Sequence, residues 1–173
     1  MKLASDSSIK KFFDENNKIV VIQADNPDGD SLASALAIGK ISESLGKDVY
    51  QYCAVNIASY LDYIKGYDTI TSELPLDFDA TIIVDASAKV LFEALEKSGK
   101  LAQIGTKPCL VIDHHSNECD LEFATVVYQK KAVSASQLVD EVAKIIGADM
   151  EVDTKELITI GILSDSLGLV SEA

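Results

Sequence analysis

Among its 173 residues the chain has no apolar run approaching the ~20 residues of a membrane helix. Its opening, Met1-Lys2-Leu3-Ala4-Ser5-Asp6, lacks the apolar stretch of a secretory signal. These absences lead us to expect a cytoplasmic protein with no membrane partner. Cysteine is scarce: Cys53, Cys109 and Cys119 are odd in number and contain no CxxC pair, which fits neither a disulfide framework nor a zinc knuckle and leaves reduced, structural thiols. Positive charge is short as well. With 15 Lys+Arg against 28 Asp+Glu the net charge is −13, so long nucleic acid is disfavoured as a partner. Acids gathered in one cleft would nevertheless make a cation site that can then attract phosphate, so their distribution matters more than their sum. There is no Pro/Gly/Ser-rich linker, no low-complexity tract and no fixed-period repeat. At 47% apolar, a chain of this length can bury about 70% of its unfolded surface in one core, and a single domain over 1–173 is expected.

What is present is an alternation of two periods. The spacing predicts a short amphipathic helix over Ser8–Glu15, a strand at Ile19–Ile22, a buried helix over Leu32–Leu45 stopped by Gly46, and a strand over Val49–Ala54. A helix over Ala58–Lys65 and a strand at Ala80–Val84 follow. Lys89–Ser98 reads as a helix stopped at Gly99, Cys109–Ile112 and Phe123–Tyr128 as strands, Ser134–Ile146 as a helix closed by Gly147, and a last helix as capped by Asp153. The strands are short, β-branched and apolar throughout, which implies burial on both faces. Strands alternating with helices specify an α/β fold: a doubly wound, mostly parallel, Rossmann-like sheet flanked by helices.

Three of these strands run into carboxylates. Ile19–Ile22 leads to Asp28 and Asp30, Ala80–Val84 to Asp85, and Cys109–Ile112 to Asp113-His114-His115. The carboxyl ends of parallel strands share one edge, where ligands bind in open α/β sheets, so acids distant in sequence can converge there. Crowded carboxylates either take up protons or need a cation. Asp oxygens with one or two imidazoles and no thiolate suit Mn²⁺ or Mg²⁺ better than Zn²⁺ or Co²⁺. Two ions about 3.5–4 Å apart would polarise a phosphoryl oxygen and hold a hydroxide, which serves hydrolysis of a phosphate ester or anhydride.

Plainer readings exist for each residue. Pro27-Asp28-Gly29-Asp30 before a helix is what a turn and an N-cap require, and Asp85-Ala86-Ser87 could cap the helix near Lys89. Adjacent histidines directly after an acid are harder to explain this way. So is Asp165, which interrupts the apolar stretch Ile158–Leu169. Tyr50, Tyr52, Tyr60, Tyr63 and Tyr67 lack interleaved basic residues and read as half-buried packing groups rather than a base-stacking surface. Asp140-Glu141 and the acids from Glu151 to Glu156 read as solvent-facing.

The order and spacing of Asn26-Pro27-Asp28-Gly29-Asp30, Asp85, Asp113-His114-His115 and Gly161-Ile162-Leu163-Ser164-Asp165 resemble the four motifs of the DHH phosphoesterase superfamily, across nearly the whole chain. Within it the likeness is to the nanoRNase and phosphoadenosine-phosphate phosphatase type. The resemblance implies that Asp28, Asp30, Asp85, His114 and Asp165 are metal ligands, with Asp85 bridging, and that His115 touches the substrate phosphate. It implies that Asn26 and Asp113 stand behind the ligands and orient them, and that Ser34 occupies the family's usual serine position. The implied cofactor is Mn²⁺, as one or two ions, with Mg²⁺ or Co²⁺ as alternatives. The implied substrate is a small nucleotide or short oligonucleotide.

Two departures accompany the match. The family histidine two places before Asn26 is here Ala24, so one metal site lacks its imidazole; Asp25 is the candidate substitute ligand, with Gln23 a weaker one. Enzymes of the nanoRNase type also continue into a glycine-rich DHH-associated domain. This sequence ends at Ser171-Glu172-Ala173, so the expectation is a DHH catalytic domain alone, completed by that missing domain or by a homo-oligomer. The expected function is metal-dependent phosphohydrolysis. A catalytically impaired metal- or nucleotide-binding module and a pyrophosphatase-like anhydride hydrolase are the alternatives.

Overall fold

The computed structural model describes residues 4–170; the chain end at Ser171-Glu172-Ala173 and residues 1–3 lie outside them. Ser5 opens the first helix, α1 (Asp6–Glu15), by a reciprocal cap with Ser8, and Ile9, Phe12 and Phe13 form its buried face. The chain then runs through β1 (Lys18–Gln23), α2 (Gly29–Ser44), β2 (Asp48–Cys53), β3 (Ala80–Val84), α3 (Glu93–Lys97), α4 (Lys100–Ile104), β4 (Cys109–Asp113), β5 (Val126–Gln129), α5 (Ala135–Ile146) and α6 (Val152–Asp165).

All five strands pair in parallel, in the order β2-β1-β3-β4-β5. From β1 the chain first steps outward to β2 and then returns to β3 on the other side. The strand order therefore reverses between β1 and β3, and their carboxyl ends flank a crevice of the ligand-binding kind. The apolar runs are continuous because both faces are covered. Ile19, Val21, Ile82, Val84, Leu110 and Ile112 pack under α1, α2, α5 and α6. Val20, Ile22, Ile83, Cys109 and Val111 pack with Phe78, Phe92, Leu95 and Ile104 on the opposite face. Helix α2 is buried nearly all round, between the sheet and α5 and α6, which explains its Ala-rich and barely amphipathic sequence. Gly46 and Gly147 take the left-handed conformation that ends α2 and α5. The three cysteines are free and buried, and burial pushes the Cys109 thiol up to about 12, as structural thiols require. Among the described residues no helix is long and apolar enough to cross a membrane.

Four local expectations are corrected. Residues 58–65 form one 3₁₀ turn, Ser59–Leu61, not a helix: Ala58 supplies no side-chain cap, and Gly66 turns the chain at φ 98°. The stretch expected as one helix over 89–98 is a 3₁₀ turn, Lys89–Phe92, followed by α3, because Phe92 leaves helical geometry as its ring enters the core. Helix α4 was too short to carry a readable period. Asp153 lies in the first turn of α6 and pairs with Lys65, while Glu151 holds the cap position without a side-chain bond. Of the tyrosines only Tyr52 is buried; Tyr60 and Tyr63 are mostly exposed, the consequence of the missing helix.

The packing of α6 on α2 and α5 depends on Gly161. A Cβ there would collide with the Ser136 hydroxyl and lie 2.6 Å from Asp30 Oδ1. Gly161→Ala should therefore lower stability by about 1–3 kcal/mol, read by chemical denaturation, despite the better helix propensity of alanine.

Candidate functional site

The acids expected from the sequence gather at the carboxyl edge of the sheet, each placed by a different element. Asp28 is the N-cap of α2: its Oδ1 accepts the amides of Asp30 and Ser31, both at 3.0 Å, while Ser31 Oγ accepts the Asp28 amide at 2.7 Å. One turn on, Asp30 is buried and caps a second helix. Its Oδ2 accepts the Ala135 amide at 2.6 Å and its Oδ1 the Ser136 amide at 3.0 Å, at the start of α5. Burial, the largest influence, raises the Asp30 pKa against the lowering effect of these donors.

Asp85 follows β3 with φ 57°, a left-handed conformation that residues other than glycine seldom adopt. Such backbone costs about 1–3 kcal/mol and persists where the surroundings enforce it. Here the amide of Asp85 donates to Ile112 O at 2.9 Å, tying it to β4. The Asp85 Oδ1 is buried and has no hydrogen-bond partner. His114 Nε2 approaches it to 3.3 Å and lies 3.6 Å from Asp165 Oδ2, at the last turn of α6. The other ring nitrogen, Nδ1, is 3.3 Å from Ala132 O, an arrangement that protonates Nδ1 and leaves Nε2 for the acids. His115 is half exposed, and its Nδ1 donates to the fully buried Asp113 Oδ1 at 2.7 Å.

Two groups of three could each hold an ion: Asp30, His114 and Asp165, and Asp85, His114 and His115, with their ligand atoms within 4.8 Å of one another. They share His114. Asp28 lies outside both but contributes its charge to Asp85, and Asn26 is exposed. Asp25 lies outside both groups: its Oδ2 accepts the Ala94 amide at 2.6 Å and its own amide donates to Leu91 O, while its Oδ1 is buried without a hydrogen-bond partner. Ala24 packs in the opposite apolar cluster, and Ser34 is buried with its hydroxyl on Ser31 O. Missing from the sequence reading were the partners around these groups: the donating amides of Ala135 and Ser136, the Ala132 carbonyl that accepts from His114, and, donating to Asp113 Oδ2, Gln129. Backbone amides and carbonyls carry no residue-type signal; a polar residue closing an apolar strand, as Gln129 does, was the one hint available.

The residues suit a divalent cation. The donor set is carboxylate oxygen plus imidazole, which suits Mn²⁺ or Mg²⁺, and the buried Asp85 Oδ1 makes no regular hydrogen bond, with His114 Nε2 at 3.3 Å. The chain has no arginine, and among the described residues no lysine pairs with Asp28, Asp30, Asp85 or Asp165. Burial and the neighbouring Asp30 and Asp28 raise Asp85 to about 7. Burial alone would lower His114, but Asp85, the Ala132 carbonyl and Asp165 outweigh it and raise the ring to about 9.

A parallel α/β domain with acids and imidazole gathered at its topological switch point is an architecture suited to hydrolysis of phosphate esters. Residues 18–162 match the DHH family, N-terminal domain, and the chain belongs to that family of phosphoesterases. It is 28% identical over 163 residues to the bifunctional oligoribonuclease and PAP phosphatase NrnA of Mycoplasma genitalium, covering 92% of this chain. The chain spans about half the length of that relative, 48%. Among solved structures, an exopolyphosphatase-related protein from Bacteroides fragilis superposes with a TM-score of 0.84 at 23% identity, covering 98% of this chain and 53% of the other. RecJ in complex with Mn²⁺ from Thermus thermophilus superposes at 0.55 and 15% identity, over 95% of this chain and 24% of the other. These likenesses concern the fold.

Both Asp85 and His114 hold their proton more tightly in the folded chain than in the unfolded one. The Asp85 contribution to stability is complete below the ordinary carboxyl range and lost as pH rises through about 7; that of His114 is complete below 6.5 and lost through about 9. In chelator, the melting temperature should fall as pH is raised from about 5 to about 9, and added divalent cation should remove most of that fall. A flat metal-free profile would contradict the burial of these charges together.

Proposed function

We propose that this domain is a divalent-metal-dependent phosphohydrolase acting on short oligonucleotides or small nucleotide phosphates, with Mn²⁺ as the ion. The observation that carries the reading is the convergence of Asp30, Asp85, His114 and Asp165, from four separate segments, around the buried Asp85 Oδ1, which makes no regular hydrogen bond and has His114 Nε2 at 3.3 Å. The printed activities of the Mycoplasma genitalium relative support the substrate class. These four residues would hold one ion, and Asp28 with Asp85 a second whose shell lacks a side chain at Ala24. A bound divalent cation supplies a Lewis acid for the phosphoryl oxygen and a water of lowered pKa. The chain's own residues do the rest. Ala132 holds His114 so that Nε2 faces the acids, the α5 amides fix Asp30, and Asp85 stands in a conformation that aims its carboxylate into the crevice. His115, half exposed above the buried Asp113, is placed to meet the substrate phosphate, its Nδ1–H held below and Nε2 free.

A second reading, a domain that binds metal or nucleotide without turnover, is favoured by Ala24, which leaves the Asp28 side of the crevice without imidazole. Release of mononucleotide or phosphate in Mn²⁺ decides between them. Asp85→Asn should lower that activity by about a hundredfold or more, while the metal-free protein stays folded, since asparagine tolerates the left-handed backbone as well as aspartate does. Equal turnover by wild type and Asp85→Asn would sink the hydrolase reading, and nucleotide binding by calorimetry with no turnover would establish the second.

Against burial, Asp85, the Ala132 carbonyl and Asp165 raise the His114 pKa to about 9, so an ion held by this imidazole would displace a proton. Titration with Mn²⁺ near pH 7.5 in buffers of different ionisation enthalpy should show release of about one proton per ion, and affinity should rise with pH. His114→Ala should abolish the release.

A further inference from the structure

Gln129 closes β5 directly opposite Asp113 in the β4–β5 ladder, so their side chains stand on the same face of the sheet. Its Nε2 sits among four oxygens, three from residues 113–117 and one from the loop after β3: Asn117 O at 2.7 Å, His115 O at 3.0 Å, Asp113 Oδ2 at 3.1 Å and Ser87 Oγ at 3.2 Å. Asn117 Nδ2 in turn donates to Ser87 Oγ at 3.1 Å, closing the ring. One amide has only two N–H groups, so four acceptors around a single nitrogen mark a node where the post-β3 loop and the loop carrying His115 are drawn together.

The node lies behind His115. Asp113 is wholly buried; its Oδ1 receives the His115 Nδ1–H, and its Oδ2 receives Gln129. An apolar residue at 129 would leave that oxygen buried and unpaired, a carboxylate would repel it, and a lysine would draw its charge away from the ring. A neutral donor satisfies the oxygen without a competing charge, and among the described residues the only ion-pair partner of Asp113 is His115. Gln129 also grips the backbone on either side of Ser116, through His115 O and Asn117 O, so it sets the path of the loop as well as the carboxylate. The residues flanking it serve elsewhere, both Tyr128 and Lys130 bonding Glu141.

We propose that Gln129 is a positioning residue of this site, which through Asp113 and the 115–117 backbone keeps Nδ1 of His115 protonated on Asp113 and turns Nε2 to the cleft. The assignment rests on the reading of His115 as the group that meets the phosphate. Gln129 makes no hydrogen bond to Asp30, Asp85, His114 or Asp165, so with the ion held by those four and His115 on the phosphate, its loss should act on turnover without acting on the ion.

The test uses Gln129→Met, of similar length without a donor, and Gln129→Glu, which faces Asp113 with a like charge. Three quantities are read: kcat and KM for Mn²⁺-dependent hydrolysis, Mn²⁺ affinity by calorimetry, and the ¹⁵N-resolved imidazole spectrum of the Mg²⁺-loaded protein. With only His114 and His115 in the chain, each ring is identifiable by comparison with His114→Ala. In Gln129→Met, kcat should fall by about ten- to a hundredfold with Mn²⁺ affinity unchanged. The His115 signals should move from a single Nδ1–H form to mixed tautomers while those of His114 stay in place. In Gln129→Glu the loss should be larger. An unchanged His115 spectrum in folded Gln129→Met overturns the proposal, as does a fall in kcat that merely follows Mn²⁺ affinity or the folded fraction. If the wild type itself lacks hydrolytic activity, the functional reading fails on its own, and the imidazole spectrum still decides whether Gln129 orients His115.

Discussion

Repulsion among carboxylates that the fold has taken out of water governs this molecule. Asp30 is buried and Asp85 largely so, within reach of His114 and Asp165, and no lysine among the described residues pairs with them. Several surrounding interactions make sense as ways of holding that arrangement. The start of α5 lends two amides to Asp30 where the helix dipole favours negative charge. The capping box of α2 anchors Asp28. Asp85 accepts a left-handed backbone, and Asp165 ends α6, where the same dipole disfavours an acid. Unfavourable backbone and unfavourable helix-end charge in a single cluster mark a place where stability has been given up for chemistry.

The sheet order makes the cluster unavoidable. Because β1 feeds β2 on one side and the chain then returns to β3 on the other, the segments after β1, β3 and β4 leave the sheet side by side. Helix α6 then packs across α2 and α5, and a glycine at 161 lets it come close enough for Asp165, one turn later, to close the fourth side. Ala24 belongs to the apolar layer under α3, so the half built from Asp30, Asp85, His114 and Asp165 keeps its own supports.

The plain and the functional readings of the acidic turn are both correct, for different atoms. Asp28 caps α2 with one carboxylate oxygen, and Asp30 caps α5 while remaining part of the acid group. Helix capping and ligand placement draw on the same chemistry, an anionic oxygen near backbone amides. A sequence pattern alone therefore cannot separate them.

Strand periodicity, left-handed glycine stops and the recurrence of acids after apolar strands were legible in the residues, because each depends on neighbours within a few positions. The layered α/β architecture and the members of the acidic cluster followed from them. Other features depended on partners far along the chain. Residues 58–65 lost their helix to an uncapped start and to Gly66, Phe92 broke one helix by entering the core, and Asp25 gives one carboxylate oxygen, Oδ2, to the Ala94 amide. The left-handed turn at Asp85, the grip of α5 on Asp30 and the bond from Gln129 to Asp113 likewise join segments separated by whole elements. Local pattern decided which residues carry the charge and which strands deliver it. Tertiary packing alone decided which way each carboxylate points, since burial, helix ends and cross-strand neighbours exist only once the chain has closed on itself.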